Sequence, residues 1–508
     1  MKKIFSFFSL LAVILLASCS KQPQGASLVP DDATIVFRAD IAKCAKLSGF
    51  GNGSSNLADK LKDQVSSMVD NKKLQSKLND IIDNPMKAGI DLSEPIFAYL
   101  RGNLDRNPHF ALVGSVSSQD KLASLINDLL EENGDDKLKE ADGAQYFERD
   151  DIAFIFTSDW FYIGYADNAR NMISELNDRA SGSGSLSGSK AMERLCDQDG
   201  MLQMLFLGEA IASIPEYREV ARLLPDGLKL RDIASILSLD MAKGEATLVS
   251  EYVPLSKEWE DYTAKAAKIL KPIAKDQTKY ISDKGFSLFL NIDLTDAPKW
   301  IDQLAAMFQM DNEEDLAQMK EIVSGLDGTL SLDFFGINEE ADVPLLTLYA
   351  GTKETTTLDA ILAEAVDNDA VQQTGEHTYE MPFAYDYDFD EQTGEFIQTP
   401  KYYSSFGFKQ GQTYFSLAPD QLFKEPAAAY PASSIKGKGL FMRFNFGMLS
   451  ALASQFGQAE AIVDEVTRYF DYAELYTEDG YRSTFRLVTK DKDKTPMETV
   501  IALIEKNL

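Results

Sequence analysis

The chain has 508 residues, with 50 Lys and Arg against 80 Asp and Glu, two His, three Cys and 44% hydrophobic residues. Ordinary apolar content with 10% aromatics excludes a disordered, collagen-like or disulfide-dense chain. A formal charge of −30 argues against nucleic acid as a partner, because phosphate recognition needs clustered Lys and Arg, and two histidines leave little room for His-built metal sites or triads.

The N-terminus reads as a leader. Lys2 and Lys3 precede a 13-residue apolar stretch from Ile4 to Leu16, too short for a spanning helix of about 20 residues but suited to a signal peptide. It ends in Leu16-Ala17-Ser18-Cys19, a lipobox: small residues fit a peptidase cleft, and the Cys19 thiol accepts the acyl group. Residues 1–18 are thus expected to be removed, and 19–27 to form a polar, lipidated tether reaching about 25–30 Å. Several acyl chains on Cys19 would anchor the chain in a membrane without a transmembrane helix. Loss of Lys2 and Lys3 leaves 48 basic against 80 acidic residues, a formal charge of −32.

Two stretches of the chain then carry the same order of signals. The first opens with the strand Thr34–Ile41, the second with Leu288–Leu294 and a helix from Ala297. Strands 110–114 and 345–351 each lead to a helix with apolar residues at 3/4 spacing, Leu122, Leu125, Ile126 and Leu129 in one, Leu358, Ile361, Leu362 and Ala365 in the other. Aromatic strands follow at 160–167 and 413–420, further strands at 202–207 and 441–446, and strand pairs at 235–241 with 245–253 and at 471–477 with 481–489. Each half closes on a helix: one begins after Ser256, and the other at a capping box formed by Thr495 and Glu498, with Pro496 at its first position. The expected fold is α+β, with two tandem copies of a mainly antiparallel sheet-plus-helices unit at 28–275 and 280–508.

Catalytic and metal motifs are sparse. The run 181–189 of Ser and Gly reads as a flexible connector; Ser189 stands where a P-loop needs Lys. Cys44 and Cys196 each fall on the apolar side of a short helix, as buried thiols or as a disulfide pair, and neither spacing suits a metal. His109 and His377 sit at strand edges without HExxH company, and SxxK occurs three times after Cys19, at Ser118/Lys121, Ser187/Lys190 and Ser433/Lys436, without its partner motifs. No catalytic residue, metal or cofactor is therefore assigned.

The most unusual surface is Tyr385-Asp386-Tyr387-Asp388-Phe389-Asp390, which alternates aromatic and acid. As a strand it places Tyr385, Tyr387 and Phe389 on one face and the three aspartates on the other. Its counterpart at 148–152 is a tight turn, so this hairpin is particular to the second half. Three uses compete: packing on its own domain, recognition of a protein or glycan, and calcium binding. Against calcium, Glu391 and Ile397 stand where an EF-hand loop needs Gly and Glu.

The lipobox, the opening Leu28-Val29-Pro30-Asp31-Asp32-Ala33-Thr34 and the duplicated layout resemble an uncharacterised family of Bacteroidota lipoproteins. That resemblance implies an outer-membrane lipoprotein. Ser20 rather than Asp follows Cys19, which favours the outer membrane, and no acidic run comes after it, which favours the periplasmic face. It brings no catalytic residues. The expected role is a non-enzymatic binding protein for an envelope protein or glycan. The alternatives are an envelope hydrolase with scattered acids and hydroxyls, which would show converging carboxylates of raised pKa in a cleft, and a structural spacer.

Overall fold

The computed structural model describes residues 23–47, 57–103, 106–208, 224–225, 227–308, 310, 312–338, 340–368, 370–390, 395–427, 430–450 and 460–500. The leader 1–18, including Leu16, Ala17 and Ser18, and the acceptor Cys19 lie outside the described residues. The chain divides into two units, Met1–Tyr262 with Asp491–Leu508, and Thr263–Lys490.

In the first unit the strands are β1 (Ala33–Ala39), β2 (Ile96–Asn103), β3 (Arg106–Ser115), β4 (Lys139–Ala141), β5 (Ala144–Arg149), β6 (Ile152–Phe156), β7 (Trp160–Tyr165), β8 (Leu202–Leu207), β9 (Ile233–Ala242) and β10 (Glu245–Pro254). They pair in the spatial order β4-β5-β6-β7-β3-β2-β1-β8-β9-β10, every pair antiparallel. Much of this sheet is covered on both faces, which is why Trp160-Phe161-Tyr162-Ile163 reads as an unbroken apolar run rather than an alternation. Phe97 and Tyr162 pack on one side with Leu28, Val29, Ile173, Leu176 and Leu195. Their neighbours Ile96 and Phe161 pack on the other, under Leu61, Val65, Leu74, Leu78 and the Leu122, Leu125, Ile126, Leu129 stripe. That stripe belongs to the helix Gln119–Asn133, capped by Ser118 and stopped by Gly134 in the left-handed region.

The second unit contains β11 (Phe286–Asn291), β12 (Leu326–Asn338), β13 (Val343–Thr352), β14 (Gln372–Gly375), β15 (Thr378–Asp390), β16 (Glu395–Lys409), β17 (Gln412–Ser416), β18 (Leu440–Asn445), β19 (Phe470–Asp479) and β20 (Arg482–Thr489). The spatial order is β14-β15-β16-β17-β13-β12-β11-β18-β19-β20, again antiparallel throughout. This is the same order of pairing, strand for strand, as in the first unit. Its core is smaller and aromatic, with Phe289, Tyr349, Tyr414 and Phe441 under Ile273, Ile281, Tyr430 and Ile435. The amphipathic pattern at 358–365 does form the helix Thr356–Asp367, but only Leu362 in it is fully buried. The fold class is α+β with a mainly antiparallel sheet.

Buried polar side chains line up across this second sheet. Ser405, Ser416, Thr347, Asp333, Ser287, Arg443 and Glu474 sit directly opposite one another on β16, β17, β13, β12, β11, β18 and β19, and all are buried. Arg443 Nε donates to Glu474 Oε1 at 3.0 Å, and Arg486 lies 3.2 Å from Glu474 Oε2. The rings of Tyr472 and Tyr430 flank the Arg443 guanidinium at 4.3 and 5.2 Å. Pairing plus stacking offsets the desolvation of these charges.

Three stretches fall differently from the sequence expectation. Residues 24–27 were expected in the tether; they form a helical turn with Gly25 and Ala26 buried, the Gln24 amide bonded to Glu94 Oε2 at 2.9 Å. The two units were expected at 28–275 and 280–508. Instead Ile273 and Ile281 pack in the second core, and 491 onwards returns to the first unit, where Lys494 O accepts from the Gly244 amide and Thr495 Oγ1 donates to Leu47 O. Nor does the Ser-Gly run 181–189 hang free. Leu186 is buried, Ser185 bridges Pro30, and the Asp31 amide bonds Gly184 O.

Candidate functional site

The hairpin singled out by its sequence is a two-stranded arm. β14 pairs β15 only through Glu380, and β17 pairs β16 only from Ser405 onwards, so strands 381–390 and 395–404 have no further sheet partner beside them among the described residues. Register shifts at Pro382/Ala384 and Ala384/Tyr385 bend it. Beyond them Tyr385 faces Pro400, Tyr387 faces Gln398, Asp386 faces Thr399 and Asp388 faces Ile397. Phe389 and Asp390 pair with Phe396 and Glu395, and the turn 391–394 lies outside the described residues. Both faces of the arm are open: Met381, Phe383, Tyr385 and Tyr403 are exposed, Ile397 is 50% and Tyr387 61% exposed. Asp386 and Asp388 are exposed as well, with Lys401 3.3 Å from Asp386.

A second feature was not signalled by any motif. In the first unit a cleft of about 430 Å³ opens between the ends of β2, β3 and β7 and the first turns of the helix Ala169–Ala180. Its floor holds Tyr99, Ala111 and Tyr162, all buried. Burial pushes the phenols of Tyr99 and Tyr162 up in pKa. Tyr162 Oη donates to Tyr165 O at 2.5 Å. On one wall the rings of His109 and Tyr165 stack at 3.9 Å with 24° between planes, and the Tyr165 hydroxyl donates to Asp167. Across from them Arg101 Nε donates to Asp32 at 2.7 Å and its Nη1 lies 3.6 Å from Glu175. Glu175 also accepts from the buried Arg179 at 2.8 Å. Asn168 caps the helix by accepting from the Arg170 and Asn171 amides, which fixes the wall.

A model of a domain of unknown function, DUF4836, matches residues 26–497. The chain belongs to the DUF4836 family. Arm and cleft both lie inside the matched residues, as do residues 491–497 of the return segment. No curated protein matches the sequence. Among solved structures, crystal form I of TP0453 is similar at 13% identity over 51% of this chain and 90% of that one, with a TM-score of 0.27. At that score the likeness carries no argument.

A second cleft of about 350 Å³ in the second unit is bordered by Lys271, Asp293, Asp327 and Lys353. Hydrogen bonds from the Thr295 hydroxyl and amide, then Lys271, hold the Asp293 carboxyl below its ordinary range. Among the described residues no group of three His, Cys, Asp or Glu is placed to hold a metal. Cys44 is buried and Cys196 half-buried, both as free thiols, and burial pushes Cys44 up to about 12. His377 Nδ1 lies 2.9 Å from Asp359, at a turn where its φ is +52°. Asp333 is the described carboxyl that burial pushes up, to about 7, and it lies outside both clefts. His109, by contrast, read as an incidental strand-edge residue and is part of the cleft wall; only the long-range pairing of β2, β3 and β7 brings it beside Tyr165.

Proposed function

We propose that this DUF4836 protein is a lipid-anchored envelope protein that works by binding another macromolecule rather than by catalysis. The lipobox supports anchoring through acyl chains on Cys19, and Ser20 supports the outer membrane, at its periplasmic face. The identical strand-pairing order of the two units supports an internal duplication. So does the match of Leu202, Met204 and Phe206 on β8 to Leu440, Met442 and Phe444 on β18.

The observation that carries the binding role is the arm. Six large apolar side chains, Met381, Phe383, Tyr385, Tyr387, Ile397 and Tyr403, stand exposed on one two-stranded ribbon. Packing on its own domain would have buried them. The strand edges offer unpaired backbone groups, and Asp386 and Asp388 favour a protein segment carrying Lys or Arg. A hydrolase would instead require carboxylates of raised pKa converging in a cleft, and the raised Asp333 stands apart from the clefts.

A photo-crosslinking residue at position 387 tests this in intact cells, with position 73 on the exposed face of the helix Lys72–Asp83 as control. A discrete adduct at 387 and none at 73 is expected. Equal labelling at both, or none at 387, overturns the reading. Separately, Cys19→Ala should abolish acyl labelling and membrane fractionation; persistence of both refutes the anchor.

A further inference from the structure

We propose that the cleft of the first unit binds a neutral saccharide, with a sugar ring lying along the His109–Tyr165 wall and its hydroxyls bonded to Arg101, Asp167, Asn171 and Glu175. The space exists because the floor is small. Ala111 and Gly164 sit opposite each other on β3 and β7, and a Cβ added at Gly164 would lie 2.6 Å from the Ala111 Cβ. With no larger side chain there, about 430 Å³ stays open above Tyr99 and Tyr162, within the range that small-ligand sites occupy.

Charge selects among ligands. Asp32, Asp167 and Glu175 face the cleft, so an anion meets three carboxylates. Arg101 also faces it, but its Nε is taken by Asp32 at 2.7 Å and its Nη1 lies 3.6 Å from Glu175, so it does not offset that repulsion. A neutral polyol avoids the penalty. Each of its hydroxyls can donate to a carboxylate and accept from the guanidinium or the Asn171 amide, using donors and acceptors the cleft supplies in both kinds. The imidazole and phenol stack face to face at 3.9 Å, so the pair offers an outer ring face against which the C–H face of a sugar ring can pack. The carboxylates are oriented before any ligand arrives: Asp167 by the Tyr165 hydroxyl, Glu175 by Arg179 at 2.8 Å. That lowers the ordering cost of binding. The arm belongs to the other unit, so the two proposals stand or fall separately.

Saturation-transfer NMR on the detergent-solubilised full chain tests the cleft, with glucose, galactose, mannose and N-acetylglucosamine as probes. Binding of at least one is expected. Asn171→Trp, an exposed position on the cleft wall that the larger ring would fill, should weaken it about tenfold or more at unchanged melting temperature. His109→Ala should do the same; if it lowers the melting temperature, Asn171→Trp decides. The uronate counterpart of the bound sugar should bind about tenfold more weakly. The proposal is overturned if none of the four sugars binds, if Asn171→Trp binds as wild type does, or if the uronate counterpart binds as tightly.

Discussion

Asp333 is built into the second sheet at a cost that pH can switch on and off. It is 4% exposed, its Oδ2 accepts the Ser282 amide at 2.8 Å, and its Oδ1 has no hydrogen-bond partner among the described residues. Burial moves the carboxyl from 3.8 to about 7, more than the single amide bond lowers it, and the nearby Asp283 charge adds to the rise. Between about pH 4 and pH 7 the folded chain therefore keeps a proton that the unfolded chain has released. Stability from this group is full below about pH 4 and is lost as pH rises through 7. At about 1.4 kcal/mol per pH unit, the distance from 3.8 to about 7 amounts to about 4 kcal/mol when complete. About 2–3 kcal/mol of that falls between pH 5 and pH 8.

Asp333→Asn removes the titration and keeps an oxygen for the Ser282 amide. Urea unfolding of the two proteins, followed by a probe in the second unit, should give curves that diverge as pH rises. The variant should gain about 2–3 kcal/mol on wild type between pH 5 and pH 8. Parallel pH dependences would refute the reasoning, and so would a wild type that grows relatively more stable over that range.

Three further outcomes are expected. Gly164→Ala should lower stability by about 1–3 kcal/mol in thermal unfolding, since its Cβ would press on Ala111 Cβ at 2.6 Å and on strand backbone at 2.8 Å. A neutral result would mean that the strands can part there. Thr495→Ala should cost about 1–2 kcal/mol in denaturant unfolding, losing its bond from the Glu498 amide and its bond to Leu47 O together. An unchanged midpoint would show that the return segment is not held by that residue. Cys44, buried and with its thiol pushed up to about 12, should resist a thiol reagent at pH 8 in the native chain and react on unfolding. Rapid native labelling of Cys44 would contradict its placement.

Local order was legible in the sequence wherever a short-range rule governed it. The 3/4 stripe from Leu122 to Leu129 is the buried face of its helix, because helix geometry puts those positions on one side. Thr495 and Glu498 do make reciprocal bonds, Thr495 N to Glu498 Oε2 at 2.7 Å and Glu498 N to Thr495 Oγ1 at 3.1 Å. The alternation at 385–388 likewise forms a continuously paired strand, in which period-2 geometry sends its tyrosines to one face of the ribbon and its aspartates to the other. What escaped depends on distant pairings. The cleft draws on residue 32, the 99–111 hairpin and 162–175, and no spacing joins them. Glu474 read as one acid among 80, yet its partners on β18 and β20 bury it. The partition of the chain escaped for the same reason: a bond from Thr495 to Leu47 spans 448 positions.

That last bond has a temporal consequence. The first unit is made of two pieces of chain, and all of the second unit's sequence lies between them. During synthesis the ten strands of the second unit emerge as one uninterrupted stretch and can close on themselves at once. The first unit, although begun earlier, waits for residues 491 onwards before Lys494 and Thr495 can meet Gly244 and Leu47. The usual N-terminal-first order of domain completion is thereby reversed: the part of the chain that starts first is finished last.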